Sequence, residues 1–268
     1  MKVSILMPVY NEFHTFDVVL ERVRRAPLPA GCSKEIIVVD DGSCDGTAER
    51  IAAHQRENIV VGHYLSQNAG KGAAVRAGIS LASGEVVLIQ DGDLEYDSSD
   101  YQRILAPIIR GDCDVVYGSR FRGHISGMRW KNKLANRILT AFANLLYFAG
   151  ISDEATAYKA FRTSLLRQIN LECTGFEFCP EITAKLCRLG HSIHEVPISY
   201  NGRGIAEGKK IRFGDGLVAL WTLIKYRFVS LRLVHAGQEI QAHLLPTALV
   251  SSTCSAEEQD LPASNCIC

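Results

Sequence analysis

No stretch of this sequence is apolar for long enough to cross a bilayer. The longest candidate, residues 217–234, is interrupted by Lys225, Arg227 and Arg232, each costly at the centre of a membrane. The apolar start Met1-Lys2-Val3-Ser4-Ile5-Leu6-Met7-Pro8 is too short for a signal-peptide core and is followed at once by polar residues, so it reads as a first buried strand. Net charge is absent as well. The 29 basic residues are matched by 29 acidic ones, which leaves no global field for a nucleic-acid partner and makes any anion site local. Also missing are a CxxC pair and an internal repeat. The nine cysteines are scattered, and Cys113, Cys173, Cys179 and Cys187 sit in apolar surroundings. That argues against a disulfide framework and points to reduced, structural thiols of a cytosolic protein. Cys266 and Cys268 fall near the end of a weakly patterned tail and read as part of a solvated terminus.

What is present is a chain of 268 residues, 47% hydrophobic and 22% charged, enough for one large domain with a substantial core. Val- and Ile-rich runs alternate with helical patterns. Strands are expected at residues 3–9, 35–39, 59–65, 85–89 and 114–117, and helices between them at about 15–25, 47–55, 72–82 and 101–109. Continuous apolar strands with helical crossovers predict an α/β fold, a mainly parallel sheet covered on both faces. Next comes a helix at about 129–150, basic at its start (Arg129, Lys131, Lys133, Arg137) and apolar at its end. It suits either a headgroup-facing amphipathic element or a core-packing helix with solvated lysines. A strand at 158–161, helices near 164–168 and 180–189, a strand at 194–197 and a helix at 215–228 follow. Residues 1–228 are read as one domain and residues 229–268 as a poorly ordered tail.

Ligands of such sheets collect beyond the carboxyl ends of the strands, and four polar clusters fall there. Asp91-Gly92-Asp93 follows the fourth strand; two acids spaced i, i+2 can turn toward one ion, Gly92 eases the turn, and Glu95 is a candidate third ligand. Oxygen-only ligands suit Mg²⁺ or Mn²⁺, shared with a diphosphate. Alone, such a triplet reads more readily as a solvated turn. Asp40-Asp41-Gly42-Ser43-Cys44-Asp45-Gly46-Thr47 ends the second strand. Capping accounts for Asp45 and Thr47, leaving Asp40 and Asp41 to accept from ribose hydroxyls or a base N–H. Asn68-Ala69-Gly70-Lys71-Gly72 is either an anion-binding turn at a helix start or an ordinary loop and cap. Pro8-Val9-Tyr10-Asn11-Glu12 follows the first strand. Of the basic residues Arg120, Arg122, Arg203, Lys209 and Lys210, which could offset a metal-bound diphosphate, Arg122 is read as solvated and Arg120 and Arg203 as functional.

Together with Gln90-Asp91-Gly92-Asp93-Leu94-Glu95-Tyr96, Gly118-Ser119-Arg120-Phe121, Tyr158-Lys159-Ala160-Phe161-Arg162 and Glu207-Gly208-Lys209-Lys210-Ile211, these segments resemble the family 2 inverting glycosyltransferases. Within that family the chain looks like the dolichyl-phosphate or polyprenyl-phosphate mannosyltransferase-like group, over most of its length. The resemblance implies a GT-A fold, with Pro8, Tyr10, Glu12, Asp40 and Asp41 around the nucleoside and Asn68 and Lys71 at the substrate. It places Asp91 and Asp93 at the metal with Glu95 as a candidate third ligand, Gly92 at the substrate, and Arg120, Arg203 and Lys209 or Lys210 near the donor diphosphate or acceptor phosphate. Asp93, Arg120 and Arg203 are the catalytic candidates. Residues 129–150 fall where this group has an interfacial helix that meets the lipid acceptor. Two departures are visible: Ala157 stands where many relatives carry Cys, and the C-terminal membrane spans of some relatives are missing.

The implied reaction moves a sugar from GDP-mannose or a UDP-sugar to a polyprenyl or dolichyl phosphate in one inverting displacement. The expected setting is peripheral, at the cytoplasmic face of a membrane, by surface docking or through a separate membrane subunit. An anionic lipid phosphate needs no general base. A glycan hydroxyl, the alternative acceptor, needs one, and Asp153 or Glu154 is the candidate. A nucleotidyltransferase would usually carry a glycine- and arginine-rich loop where Pro8-Val9-Tyr10-Asn11-Glu12 stands, and a nucleotide-binding module would not require the acidic cluster.

Overall fold

The computed structural model describes residues 1–202 and 213–231. The expected Arg203, Lys209 and Lys210 contacts and the tail from residue 232 onward lie outside the described residues. Seven strands form one sheet: β1 Lys2–Val9, β2 Ser33–Asp40, β3 Val61–Tyr64, β4 Val86–Ile89, β5 Val115–Ser126, β6 Lys159–Arg162 and β7 His194–Asn201. Their order across the sheet is β3-β2-β1-β4-β6-β5-β7. The helices are α1 Phe16–Arg25, α2 Thr47–Arg56, α3 Lys71–Leu81, α4 Tyr101–Arg110, α5 Trp130–Tyr147, α6 Thr163–Gln168, α7 Phe178–Arg188 and α8 Phe213–Phe228.

The unbroken apolar strands have a simple cause. Successive side chains leave opposite faces of a strand, and both faces here are covered. Val3, Ile5 and Met7 of β1 pack with Phe16, Val19, Leu20 and Val23 of α1 and with Tyr101, Ile104 and Leu105 of α4. Leu6, between them, joins the opposite cluster of Ala74, Val75 and Ile79 from α3 and Phe178 and Ile182 from α7. β2 and β4 divide in the same way. A third cluster joins Leu139, Ala143 and Tyr147 of α5 to Ala184 of α7 and Ala219, Leu223 and Tyr226 of α8.

The sheet is mainly parallel, as expected, with one interruption. β6 runs antiparallel to both β4 and β5. It therefore starts at the carboxyl edge of the parallel strands, and residues 148–158 are delivered to that edge. A second difference is the length of β5, expected to stop at Tyr117 but continuing to Ser126. Polar residues and glycines end its apolar pattern early, while pairing with β7 continues across a register shift between Ser119 and His124. Arg120 is thus a strand residue. The described cysteines Cys32, Cys44, Cys113, Cys173, Cys179 and Cys187 are free thiols, and burial pushes that of Cys187 up to about 11. No helix among the described residues is long and apolar enough to cross a membrane.

The contact of α3 with β1 is close enough to dictate a residue: a Cβ on Gly78 would stand 1.8 Å from Cδ1 of Leu6, which is fully buried. Alanine would gain about 1 kcal/mol of helix propensity, against typically 1–3 kcal/mol for overpacking, and so short a contact puts the cost at the upper end. Gly78→Ala is therefore expected to lower stability by roughly 1–2 kcal/mol in urea unfolding. An unchanged or higher stability would show that Leu6 can move aside.

Candidate active site

The carboxyl ends of β1 and β2 are joined by hydrogen bonds between the loops that follow them. Asn11 Oδ1 accepts from the Cys44 amide at 2.9 Å, the Asn11 amide donates to Ser43 Oγ at 2.9 Å, and the Glu12 amide donates to Thr47 Oγ1 at 3.0 Å. Asp45 accepts from the amides of Phe13 and Thr47, both at 3.0 Å. Burial alone would raise its pKa, but the Thr47 and Phe13 donors hold it below the usual value. Glu12, expected at the nucleoside, is buried and accepts from Thr15 Oγ1 at 2.6 Å. Pro8 and Tyr10 are partly buried in the same place.

The two aspartates that end β2 differ in state. Asp41 is engaged by the turn before α3: its carboxylate accepts from the amides of Ala69 at 2.8 Å and Gly70 at 2.9 Å and from Asn68 Nδ2 at 3.1 Å. The approach is tight. Gly42 has φ +72°, and a Cβ there would stand 2.5 Å from the Gln67 carbonyl carbon. The Ala73 amide at the start of α3 donates to Thr174 O at 3.0 Å. Two backbone amides of the turn 68–72, those of Ala69 and Gly70, and the Ala73 amide just after it thus have protein acceptors, as an ordinary loop and cap would. Asp40 is buried too. Its Oδ2 accepts from the Ser43 amide at 3.1 Å, while Oδ1 is buried with no hydrogen-bond partner among the described residues.

The turn before α3 places Lys71 against the acidic segment after β4, with Nζ 2.5 Å from Asp91 Oδ1. Burial alone would lower the Lys71 pKa, but Asp91, with Asp93 behind it, holds it above the usual value. Asp93 Oδ1 accepts from the Glu95 amide at 3.0 Å. Glu95, expected as a candidate third ligand, accepts through Oε2 from the Tyr200 hydroxyl at 2.7 Å. No three His, Cys, Asp or Glu side chains among the described residues stand together as a metal site. A cation held by Asp91 and Asp93 would need further oxygens, as a shared diphosphate would supply.

Arg120 faces a partner that sequence reasoning held in reserve as a general base. Its Nε and Nη2 each lie 2.7 Å from the two oxygens of Asp153, and its amide donates to Asp153 Oδ2 at 2.9 Å. Both residues are buried, and the guanidinium lies 5.2 Å from the centre of the Tyr200 ring. Glu154 is equally enclosed. Burial raises its pKa, with Lys159 and Thr183 acting against the rise, and its Oε1 accepts from Thr183 Oγ1 at 3.2 Å. Arg122 is half exposed, 3.3 Å from Glu195, in keeping with a surface role.

A model of glycosyl transferase family 2 matches residues 4–169. The chain belongs to this family. It is 31% identical to the polyprenol monophosphomannose synthase of Mycolicibacterium smegmatis over 233 residues, 81% of this chain and 85% of that protein. It is 32% identical to the undecaprenyl-phosphate mannosyltransferase of Micrococcus luteus over 222 residues, 78% and 87% of the two chains. Among solved structures, glucosyl-3-phosphoglycerate synthase from Mycobacterium tuberculosis superposes with a TM-score of 0.65 at 21% identity, over 85% of this chain and 81% of that one. Mannosyl-3-phosphoglycerate synthase from Rubrobacter xylanophilus gives 0.62 at 20% identity, over 84% and 72%. The fold is GT-A.

In this glycosyltransferase the structure brings together residues to which sequence reasoning had given no individual role. Lys159 is fully buried; its ammonium donates to the carbonyls of Glu154 at 2.7 Å and Thr156 at 2.9 Å and lies 3.8 Å from the centre of the Tyr117 ring. Glu195 accepts from the Ser152 and Asp153 amides at 2.8 and 3.1 Å, fixing the segment that carries Asp153. A lysine or glutamate inside an otherwise apolar strand pattern was the available signal. Since removing one partner of a buried ion pair typically costs about 3–5 kcal/mol, Asp153→Asn is expected to destabilise the enzyme on that order in denaturant unfolding. Combining it with Arg120→Met should recover part of the loss. Wild-type stability for the single variant would show that the pair is not a structural anchor.

Proposed function

We propose that this glycosyltransferase transfers a sugar, with inversion, from a nucleoside-diphosphate sugar to a polyprenyl phosphate at a membrane surface. The acceptor reading is carried by the state of the two acids that could have served as bases. Asp153 has both oxygens on Arg120, and Glu154 is fully buried beneath the surface. A sugar hydroxyl would need a base, whereas a lipid phosphate is already an anion. The names of the relatives from Mycolicibacterium smegmatis and Micrococcus luteus, both of which refer to a polyprenyl carrier, support the same acceptor.

On the donor side, the unpartnered Oδ1 of Asp40 suits a hydroxyl or N–H of the nucleoside, since a buried carboxylate oxygen without a donor is costly. Asp91 and Asp93 would hold a divalent cation, Mg²⁺ or Mn²⁺, in the few-carboxylate manner of ions that also bind substrate phosphates. The Mycobacterium tuberculosis synthase structures, which contain UDP with Mn²⁺ or with Mg²⁺, support this. When bound, the cation would offset charge on the departing nucleoside diphosphate. Lys71, kept protonated by Asp91, adds a second positive charge beside that position. Arg120 serves in this reading as an anchor that shapes the acceptor side, and Arg203, Lys209 and Lys210 are the counter-charges for the diphosphate or the acceptor phosphate.

The membrane reading rests on α5 and α8. They pack together through Leu139, Ala143, Ala219 and Leu223, yet Leu134, Ile138, Leu145 and Phe148 on one side and Leu217, Val218 and Phe228 on the other are exposed. The two tryptophans of the chain, Trp130 at 70% and Trp221 at 63% exposure, belong to the same two helices. Lys131, Lys133, Arg137, Lys225 and Arg227 accompany them. Apolar and indole groups beside basic residues match the interface of an anionic leaflet. In this reading α5 turns one face to the protein core and the other to the membrane surface.

Two measurements test the proposal. Asp91→Asn and Asp93→Asn are each expected to lower transfer from GDP-mannose or a UDP-sugar to a short polyprenyl phosphate by on the order of 10²-fold or more, with the melting curve retained. Near-wild-type turnover in both folded variants would remove the metal assignment. Because both tryptophans lie on the exposed helices, adding phosphatidylglycerol vesicles should shift the intrinsic fluorescence to the blue. Each basic residue contributes about 1 kcal/mol at a charged surface, so Lys131→Glu with Lys133→Glu should weaken binding at least tenfold and salt should weaken it further. Emission that does not change with vesicles would refute surface docking.

A further inference from the structure

We propose that Gln90 is a positioning residue for the Asp91–Asp93 turn, an inference that rests on the reading of those two acids as the cation ligands. Gln90 is 1% exposed and follows β4 directly, its amide donating to Leu6 O of β1 at 2.9 Å. Its side chain makes three further bonds. Nε2 donates to the carbonyl of Asp91 at 2.9 Å, and Oε1 accepts from the hydroxyls of Tyr101 at 2.7 Å and Tyr158 at 2.6 Å. The Asp91 carbonyl can only accept, so the amide nitrogen must face it and the oxygen is left for the two hydroxyls. A carboxamide offers donor and acceptor in one planar group; an ionised carboxylate would lose the donor and a thioether would lose effectively all three bonds.

The network joins elements that are distant in sequence. Tyr101 begins α4, and Tyr158 immediately precedes β6. The Tyr158 ring stacks on Tyr96 at 4.5 Å, and the Tyr96 hydroxyl accepts from the Ala157 amide at 2.9 Å. The acidic segment is therefore held at both ends, at Asp91 by the Gln90 amide and at Tyr96 by the stack, while Gly92 between them has the most conformational freedom of any residue. Fixing the Asp91 carbonyl fixes the peptide plane that leads into Gly92, and with it the directions in which Asp91 and Asp93 leave the chain. None of the four side chains Gln90, Tyr96, Tyr101 and Tyr158 need touch substrate for this to act on the reaction.

The test is direct Mn²⁺ binding in the presence of saturating UDP or GDP, read from the electron paramagnetic resonance of free Mn²⁺, with melting temperature in parallel. Loss of a group that orients metal ligands typically costs 10–100-fold in affinity, so Gln90→Met should bind Mn²⁺ at least about tenfold more weakly. Tyr101→Phe, which leaves the bond to Asp91 intact, should lower the melting temperature with Mn²⁺ affinity near wild type. If Gln90→Met does not fold, Gln90→Glu measured at alkaline pH carries the test, because it keeps the size and both acceptor bonds and lacks the donor; the same tenfold loss is expected. Wild-type affinity in a folded Gln90 variant, or an equal loss in Tyr101→Phe, overturns the positioning role. A wild-type enzyme that binds no Mn²⁺ with either nucleotide overturns the metal reading itself, and the positioning role with it.

Discussion

The arrangement of loops at the carboxyl ends of β2 and β4 depends on one carboxylate, that of Asp41. A parallel sheet brings strand ends to a common edge but leaves the loops beyond them unfixed, and a loop rich in glycine has much conformational entropy to lose. Asp41 gathers the Asn68 side chain and the Ala69 and Gly70 amides onto the end of β2. Because α3 starts at the next residue, its register and direction are set there too, and Lys71 is brought to Asp91. The two glycines that allow this, Gly42 and Gly70, have positive φ and backbone neighbours where a Cβ would stand. Asp41, expected at the nucleoside, is thus the residue that ties this turn to the end of β2, and among the described residues Asp40 beside it is left with the unpartnered oxygen.

The other half is organised around a buried ion pair. Arg120 reaches the edge from β5 and Asp153 from the segment leading into β6, and a pair so enclosed is tolerated only with good geometry and satisfied hydrogen bonds. Both conditions are met through the bidentate contact, the Arg120 amide, the Tyr200 ring and Glu195 behind the Ser152 and Asp153 amides. This arrangement engages both oxygens of Asp153, and in the proposed reading makes it a wall of the acceptor side. It also links β7 to the acidic segment, since Tyr200 touches Arg120 with its ring and Glu95 with its hydroxyl.

The chain thus has a hydrogen-bonded edge at the carboxyl ends of β1 and β2 and, on the side formed by α5 and α8, an apolar and basic exterior. A helix that buries Leu139, Ala143 and Tyr147 while exposing Trp130, Leu134 and Ile138 has more apolar surface than its protein contacts use. A lipid-linked acceptor would give that surplus a role: the docked enzyme would meet its phosphate at the membrane plane.

The sequence by itself determined the architecture and the location of the site. Unbroken Val and Ile runs separated by helical periodicity require a sheet covered on two faces, and acids, glycines and a lysine placed after four such runs must meet at its carboxyl edge. Those are local consequences of pattern and spacing. Only the tertiary structure decided which of those residues face outward and which face one another. Asp40 and Asp41 are neighbours in one motif, yet one has an orphaned oxygen and the other holds a loop 27 to 29 residues away. Glu95 follows Asp93 by two positions but bonds to Tyr200, 105 residues on. Arg120 and Asp153 find each other across 33 residues because β6 enters the sheet antiparallel. Periodicity reports whether a side chain is buried; it says nothing of the partner that makes the burial of a charge tolerable, since that partner comes from whichever strand or helix the chain topology places alongside.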